Sequence, residues 1–383
     1  MIVAFGTYDA ARHPRVAVIV AGLRAHGYEV LEANRPLGLS TADRVRILQQ
    51  PWRLGALVVR LLRCWALLAV DAIRLRRRRG APEAVVVGYL GHFDVFLARL
   101  LYPRTTLVLD HLIFAGDTAS DRGAAGLRVR LLNLLDRLAT ACADIVVLDT
   151  EEHLRMLPEP AKGVVVPVGA SEGWFAAGDA AAGTLVQGED RAPGGMLSAV
   201  FFGLFTPLQG TAVLADAVAR AVETARAAGG DLSLTMVGSG QDHAAVRTRL
   251  ADVPGITWLE WVEPSSLPEL VARHDVCLGI FGDTPKALRV VPNKVYQGLA
   301  AGCVVLTSDT PPQRRLLGEH LELVPPADPA ALADRLLALM EPRALDAARH
   351  RTRSGRDGAR PAEVVRPLVA VLAGRSRRLR AAL

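Results

Sequence analysis

Twelve short apolar runs, each closed by a turn and most followed by residues of helical period, constrain this chain more than any other feature. In the first half they are IVAFG (2–6), YEVLEA (28–33), EAVVVG (83–88), TTLVLD (105–110), DIVVLD (144–149) and GVVVPV (163–168). Near-continuous Val and Leu suit parallel strands buried on both faces. Helical segments lie between them, including 14–26, which ends at Gly27, and 124–142. Residues 171–195 break the rhythm with Ala, Gly and Asp and close on APGG, a linker signature. It restarts with LSAVFFG (197–203), DLSLTMVG (231–238), ITWLEW (256–261), DVCLGIFG (275–282), CVVLTSD (303–309) and LELVP (321–325). The pattern predicts an α/β chain of two Rossmann-like domains, 1–170 and 196–360, joined by the 171–195 linker. The last segment, 361–383, reads as a helix beyond a Pro/Gly-rich break and is expected to pack back on the first domain.

A length of 383 residues, 51% of them apolar, suffices for two cores. Cys64, Cys142, Cys277 and Cys303 are scattered, with no metal-ligand or redox spacing, which points to a reducing cytoplasm. Residues 1–20 lack the pattern of a signal peptide, so MIVAFG reads as a first buried strand. The net charge of +6 does not indicate nucleic acid, because the arginine excess gathers in 52–79 and at the end rather than along an aromatic-studded groove. Segment 52–79, WRLGALVVRLLRCWALLAVDAIRLRRRR, has one apolar helical face and one arginine face. Its charges leave no stretch near the ~20 apolar residues that span a bilayer. It suits either an anionic membrane surface, which would place the protein peripherally at the inner face of the cell membrane, or a core-facing helix with solvated arginines.

Ligands of doubly wound sheets bind outside the carboxyl ends of the strands. In the second domain FFGLFTPLQG (201–210) supplies Gly203, Thr206, Gln209 and Gly210 at a strand-to-helix turn, and MVGSGQD supplies Gly238. Helix N-termini there favour a phosphate, although a plain turn needs the same glycines. GDTPKALRVVPNKVYQGLAAG (282–302) holds two of the three lysines in a chain with 42 arginines. Lys286, Arg289 and Lys294 fall within nine residues there, with Pro292 suited to a first helical turn and Asn293 beside it. Lysine offers a compact point charge where arginine offers a planar fork, which suits a diphosphate gaining charge as it leaves. Lys294 and Arg289 are the candidate catalytic cations, and Lys286, Pro292, Asn293 and Gln297 complete the donor set.

The stretches GSGQD, PELVARHDVCLGIF and VPNKVYQGLAAGCVVLTSDTPPQRRLL resemble, in order and spacing over residues 197–325, the C-terminal half of GT-B glycosyltransferases of glycosyltransferase family 4. The resemblance implies retaining transfer of a sugar from a nucleotide-diphosphate donor to a hydroxyl of a glycan, lipid-linked intermediate or secondary metabolite. It implies two domains facing across a cleft, and no cofactor or essential metal, because basic side chains and helix dipoles stabilise the leaving diphosphate. The family often carries two glutamates eight positions apart. Those positions read Arg289 and Gln297 here, and the Arg and Lys usual near the first helix of the second domain read Leu204 and Gln209. The chain is thus expected in a subgroup that has moved its cationic clamp into the 282–297 loop. A nucleotide-sugar-binding scaffold with a degenerate GT-B fold is the alternative that Arg289 leaves open.

In the first domain, GTYDAARHPR (6–15) carries Tyr8 and His13, GYLGHFD (88–94) carries His92 and Asp94, and LDHLIFAGDTASDR (109–122) carries Asp110, His111 and Asp117. Asp110 and His111 end a strand and are candidates for orienting the acceptor hydroxyl or touching the donor sugar. Tyr8, His13, His92 and Asp117 are the candidate acceptor contacts.

Overall fold

The protein, seen in a computed structural model, is described over residues 1–9, 14–38, 54–121, 123–185 and 196–381. Two compact units form, Met1–Val166 with Val365–Leu383, and Pro167–Val364.

The first unit is a six-stranded parallel sheet of β1 (Ile2–Gly6), β2 (Val30–Asn34), β3 (Ala84–Val87), β4 (Thr106–Asp110), β5 (Ile145–Leu148) and β6 (Gly163–Val165), in the order β2-β1-β3-β4-β5-β6. Ile2 pairs with Val30 on one side and with Ala84 on the other, so β1 is enclosed, and all five of its residues are buried. Between the strands run α1 (Arg15–Ala25), α2 (Leu54–Arg79), α3 (Asp94–Leu101), α4 (Ala115–Asp121), α5 (Leu127–Cys142) and α6 (Glu151–Leu154). The core gathers Val3, Phe5, Val85, Val87, Leu107 and Leu109 with side chains of α2, α3 and α5. Of the described side chains on the long arginine-faced helix, only Leu68 and Ala72 are buried.

The second unit repeats the plan with β7 (Met196–Phe202), β8 (Asp231–Val237), β9 (Ile256–Leu259), β10 (Val276–Leu278), β11 (Val304–Ser308) and β12 (Glu322–Val324), ordered β12-β11-β10-β7-β8-β9. Its helices are α7 (Glu172–Leu185), α8 (Thr211–Ala227), α9 (His243–Arg249), α10 (Leu267–Ala272), α11 (Asn293–Ala300), α12 (Pro311–Leu317), α13 (Pro329–Ala338), α14 (Pro342–Gly355) and α15 (Pro361–Val364). The last helix, α16 (Arg366–Ala381), belongs to the first unit, where Arg375 Nη2 donates to the Asp144 carbonyl at 3.0 Å.

Residues 171–185 of the expected 171–195 linker form structure of their own, while 186–195 lie outside the described residues. Trp174 and Phe175 are buried, Trp174 stacks on Phe202 with ring centroids 5.7 Å apart, and Arg356 Nη2 donates to the Phe175 carbonyl, so Glu172–Leu185 is a docked helix. Two aromatic anchors outweigh the loop-like composition of the residues that follow them. All four cysteines are free. Among the described residues no helix is long and apolar enough to cross a membrane.

Candidate active site

The second unit assembles its site from three loops at the carboxyl ends of β7, β8 and β10. Glycine lets their backbones touch. A Cβ on Gly238, at φ +120°, would stand 2.1 Å from the Gly203 carbonyl oxygen, and one on Gly210, at φ +65°, would stand 2.3 Å from the Gly282 nitrogen. Backbone hydrogen bonds close the gaps: Phe205 N–H donates to Ser239 at 3.0 Å, and Phe281 N–H to Gln209 at 3.0 Å. Phe205, fully buried, pins the first loop by packing edge-on against Phe201 and His243. Thr206 precedes the single turn Pro207–Gln209, and Gly210 hands that turn to α8.

Into this frame comes Lys294 from the first turn of α11. It is 5% exposed, its Nζ lies 3.6 Å from the centroid of the Phe201 ring, and it donates to Gln209 Oε1 at 2.7 Å. A Cβ on Gly203 would lie 3.4 Å from that nitrogen. The structure therefore brings Lys294 to Gly203 and Gln209, which lie 85 or more residues before it in sequence. Burial pushes the Lys294 ammonium down to about 7. An amine so desolvated gains most from an anion that restores its charge partner.

Lys286 and Arg289 bracket the turn Ala287–Arg289 between β10 and α11, and both are half-buried. Pro292 stands just before α11 rather than within its first turn, with ψ at 155°. Asn293 opens the helix, and Gln297 lies one turn beyond it; both are half-buried. Sequence reasoning passed over the polar residues after β11. Thr310 and Gln313 are 1% and 0% exposed, and neither Thr310 Oγ1 nor Gln313 Oε1 finds a hydrogen-bond partner among the described residues. Two prolines and a run of arginines in TPPQRR masked them as an ordinary helix start.

In the first unit Asp110, at the end of β4, is buried and accepts from Arg15 Nε at 2.7 Å; Arg15 also donates to the Val166 carbonyl at 3.0 Å. Burial pushes the Asp110 carboxyl up, against the pull of Arg15. His111 is 1% exposed, and burial, helped by His92, drives its imidazole down to about 3, so it is neutral at ordinary pH. His92 Nε2 sits 3.0 Å from Asp136 Oδ1, and His111 Nε2 sits 3.8 Å from the same oxygen. Asp136 also accepts the N–H groups of Ala115 and Gly116 at the start of α4. His92, His111 and Asp136 are thus the group, among the described residues, whose ligand atoms come within 4.8 Å of one another and could grip a metal ion. Nothing in sequence singled out Asp136, one acid within the leucine-rich α5. Tyr8 is buried, its ring filling the space a Cβ on Gly88 would need, and burial raises its phenol far above the ordinary range. Asp117 lies half-buried in the first turn of α4. His13 lies outside the described residues.

Residues 197–342 match the sequence profile of the family described as Glycosyl transferases group 1. No curated protein matches the chain by sequence. Among solved structures it is similar to sucrose-phosphate synthase from Thermosynechococcus elongatus, 14% identical over 100% of this chain and 99% of that one, with a TM-score of 0.66. It is also similar to an α,α-trehalose-phosphate synthase (UDP-forming) from Burkholderia vietnamiensis, 15% identical over 100% and 98%, with a TM-score of 0.66. HepE of Anabaena in complex with UDP and glucose is 13% identical over 97% and 98%, with a TM-score of 0.63. These likenesses establish the fold, and the matched segment contains every donor-side residue described above.

Proposed function

We propose that this chain, a GT-B glycosyltransferase by its fold and its group 1 domain, moves a sugar with retention from a nucleotide-diphosphate donor to a hydroxyl acceptor. The observation that carries the reading is the buried Lys294 ammonium held by Gln209 beside Gly203, at the point where the loops after three strands meet. HepE is described with UDP and glucose, and a structurally similar pneumococcal O-GlcNAc transferase with UDP and GlcNAc, which supports a nucleotide sugar as donor here.

In this reading the diphosphate sits against Lys294, with Lys286 and Arg289 supplying further positive charge from the same segment. As the bond between the anomeric carbon and the β-phosphate oxygen breaks, these cations stabilise the charge gathering on that oxygen. The acceptor oxygen bonds to the anomeric carbon on the face the diphosphate leaves, and its proton passes to the departing phosphate, so no side-chain base is needed. Asn293 and Gln297 are assigned to nucleotide or sugar hydroxyls. Asp110 and His111 are assigned to the acceptor side, with His111 acting as a neutral group. The donor reaction is assigned to cations rather than to a metal or cofactor.

The acceptor is assigned to a glycan, a lipid-linked intermediate or a secondary metabolite, and the arginine-faced α2 favours a lipid-linked one at the cytoplasmic face of a membrane. Thermal-shift titration against UDP-, GDP- and dTDP-sugars tests the donor half. One nucleotide should raise the melting temperature by several degrees, since a ligand at a hundred times its Kd adds about 2.7 kcal/mol. No shift across the panel would refute donor binding.

A further inference from the structure

The strand order settles which helices share a face. From β2 to β3, β3 to β4 and β4 to β5 the chain moves in one direction across the sheet, so right-handed crossovers put α2, α3 and α5 on the same side. Their inward residues, Leu68, Ala72, Val95, Ala98 and Ala139, all join the core cluster of that sheet.

Their outward sides are unusual for a helical layer. On α5, Leu127, Leu131, Leu134 and Leu138 stand 72%, 57%, 51% and 50% exposed. Spaced by four, three and four residues, they form a single stripe opposite the buried Asp136, Ala139 and Thr140. Leu100 on α3 is 77% exposed, and six further large apolar side chains are exposed along α2 from Val58 to Ile73. With Phe93, which precedes α3, twelve of the fifteen exposed large apolar side chains among the described residues fall on this one layer. A concentration of exposed apolar side chains of this kind marks an interaction site.

Charge selects the occupant. The three helices carry eleven arginines, no lysine and three acids. Each acid is engaged: Asp71 with Arg35, Asp94 with Thr7 and Trp65, and Asp136 with His92. A second copy would set arginines against arginines. A bilayer with anionic headgroups matches both features, because leucines enter the headgroup and acyl boundary while arginine stems lie along it and their guanidinium groups reach phosphate.

We propose that α2, α3 and α5 together form a docking face that seats the first unit on an anionic lipid surface. This deepens the lipid-linked acceptor reading above, and its test needs neither donor nor acceptor, so the two fail separately. The test is flotation of the full chain with vesicles of phosphatidylcholine alone or mixed with phosphatidylglycerol. The chain should float with the mixed vesicles only, and less so as salt rises. Joint replacement Leu131→Ser, Leu134→Ser and Leu138→Ser, at exposed positions that leave the core untouched, should weaken that binding at least about tenfold with an unchanged melting temperature. Equal flotation of the variant would overturn the proposal. So would failure of the native chain to float, which would hand the face to a protein partner, or a dimer by light scattering that the same replacements dissolve, which would hand it to a second copy.

Discussion

A chain with 42 arginines keeps one of its three lysines at the point where three loops meet, and the geometry explains why an ammonium is suited there. Lys294 lies over the Phe201 ring, and its hydrogen-bond partner among the described residues is the amide oxygen of Gln209, an arrangement that suits a compact head on a thin stem. A guanidinium is wider and needs several acceptors in its plane. Lys294→Ala should therefore lower turnover about 10²–10³-fold, the usual cost of losing one group that stabilises transition-state charge. Turnover with a nucleotide sugar, read beside circular dichroism to confirm folding, checks this, and near-native turnover would remove Lys294 from its role. The clustering of two lysines in 282–302 made this residue legible in sequence. Its partners were less so: Gln209 read as a replacement for a missing lysine, yet in space it is the acceptor that holds Lys294. Asp136 was invisible because its importance lies in what it meets from another element, at His92.

At the scale of elements, strand runs were legible because buried parallel strands have no alternation to hide, and β1, β3 and β5 appear where the Val-rich runs stand. Helix 172–185 was not, since Trp174 and Phe175 anchor a segment otherwise written in Ala, Gly and Asp. The loops between elements carry the sharper lesson. Glycines at 203, 210 and 238 fit a phosphate turn and a plain turn equally well from sequence, and the structure gives them a mechanical task, holding three backbones in contact. Gly238→Ala would combine a positive φ with a Cβ aimed at the Gly203 carbonyl. Strain of this kind costs about 1–3 kcal/mol. In a unit of this size the melting temperature should fall by about 2–4 °C for each of those kcal/mol. Gly229→Ala is the control. It also sits at positive φ, +78°, but a Cβ there would meet nothing within 4 Å. Scanning calorimetry of both variants separates backbone strain from loop collision, and equal losses would show that the loops are not held by contact.

For the whole molecule, proton linkage ties the second unit's stability to its ligand. In the free protein the folded-state pKa of Lys294 is about 7, below the ordinary value of 10.5. Between those values the unfolded chain binds a proton that the folded chain does not. Folding stability should accordingly rise as pH climbs from about 7 towards 10.5, through this group's contribution. A bound diphosphate reverses the sign locally, because its charge raises the ammonium's pKa. Binding above pH 7 must then take up as much as one proton, and donor affinity should fall as pH rises. Isothermal titration calorimetry of the nucleotide diphosphate in two buffers of different ionisation enthalpy counts that proton. Uptake should be largest between the free and bound pKa values, small below pH 7, and abolished by Lys294→Gln, which retains a donor but cannot titrate. If uptake persists in that variant, the titrating group lies elsewhere and Lys294 is not the cation facing the phosphates.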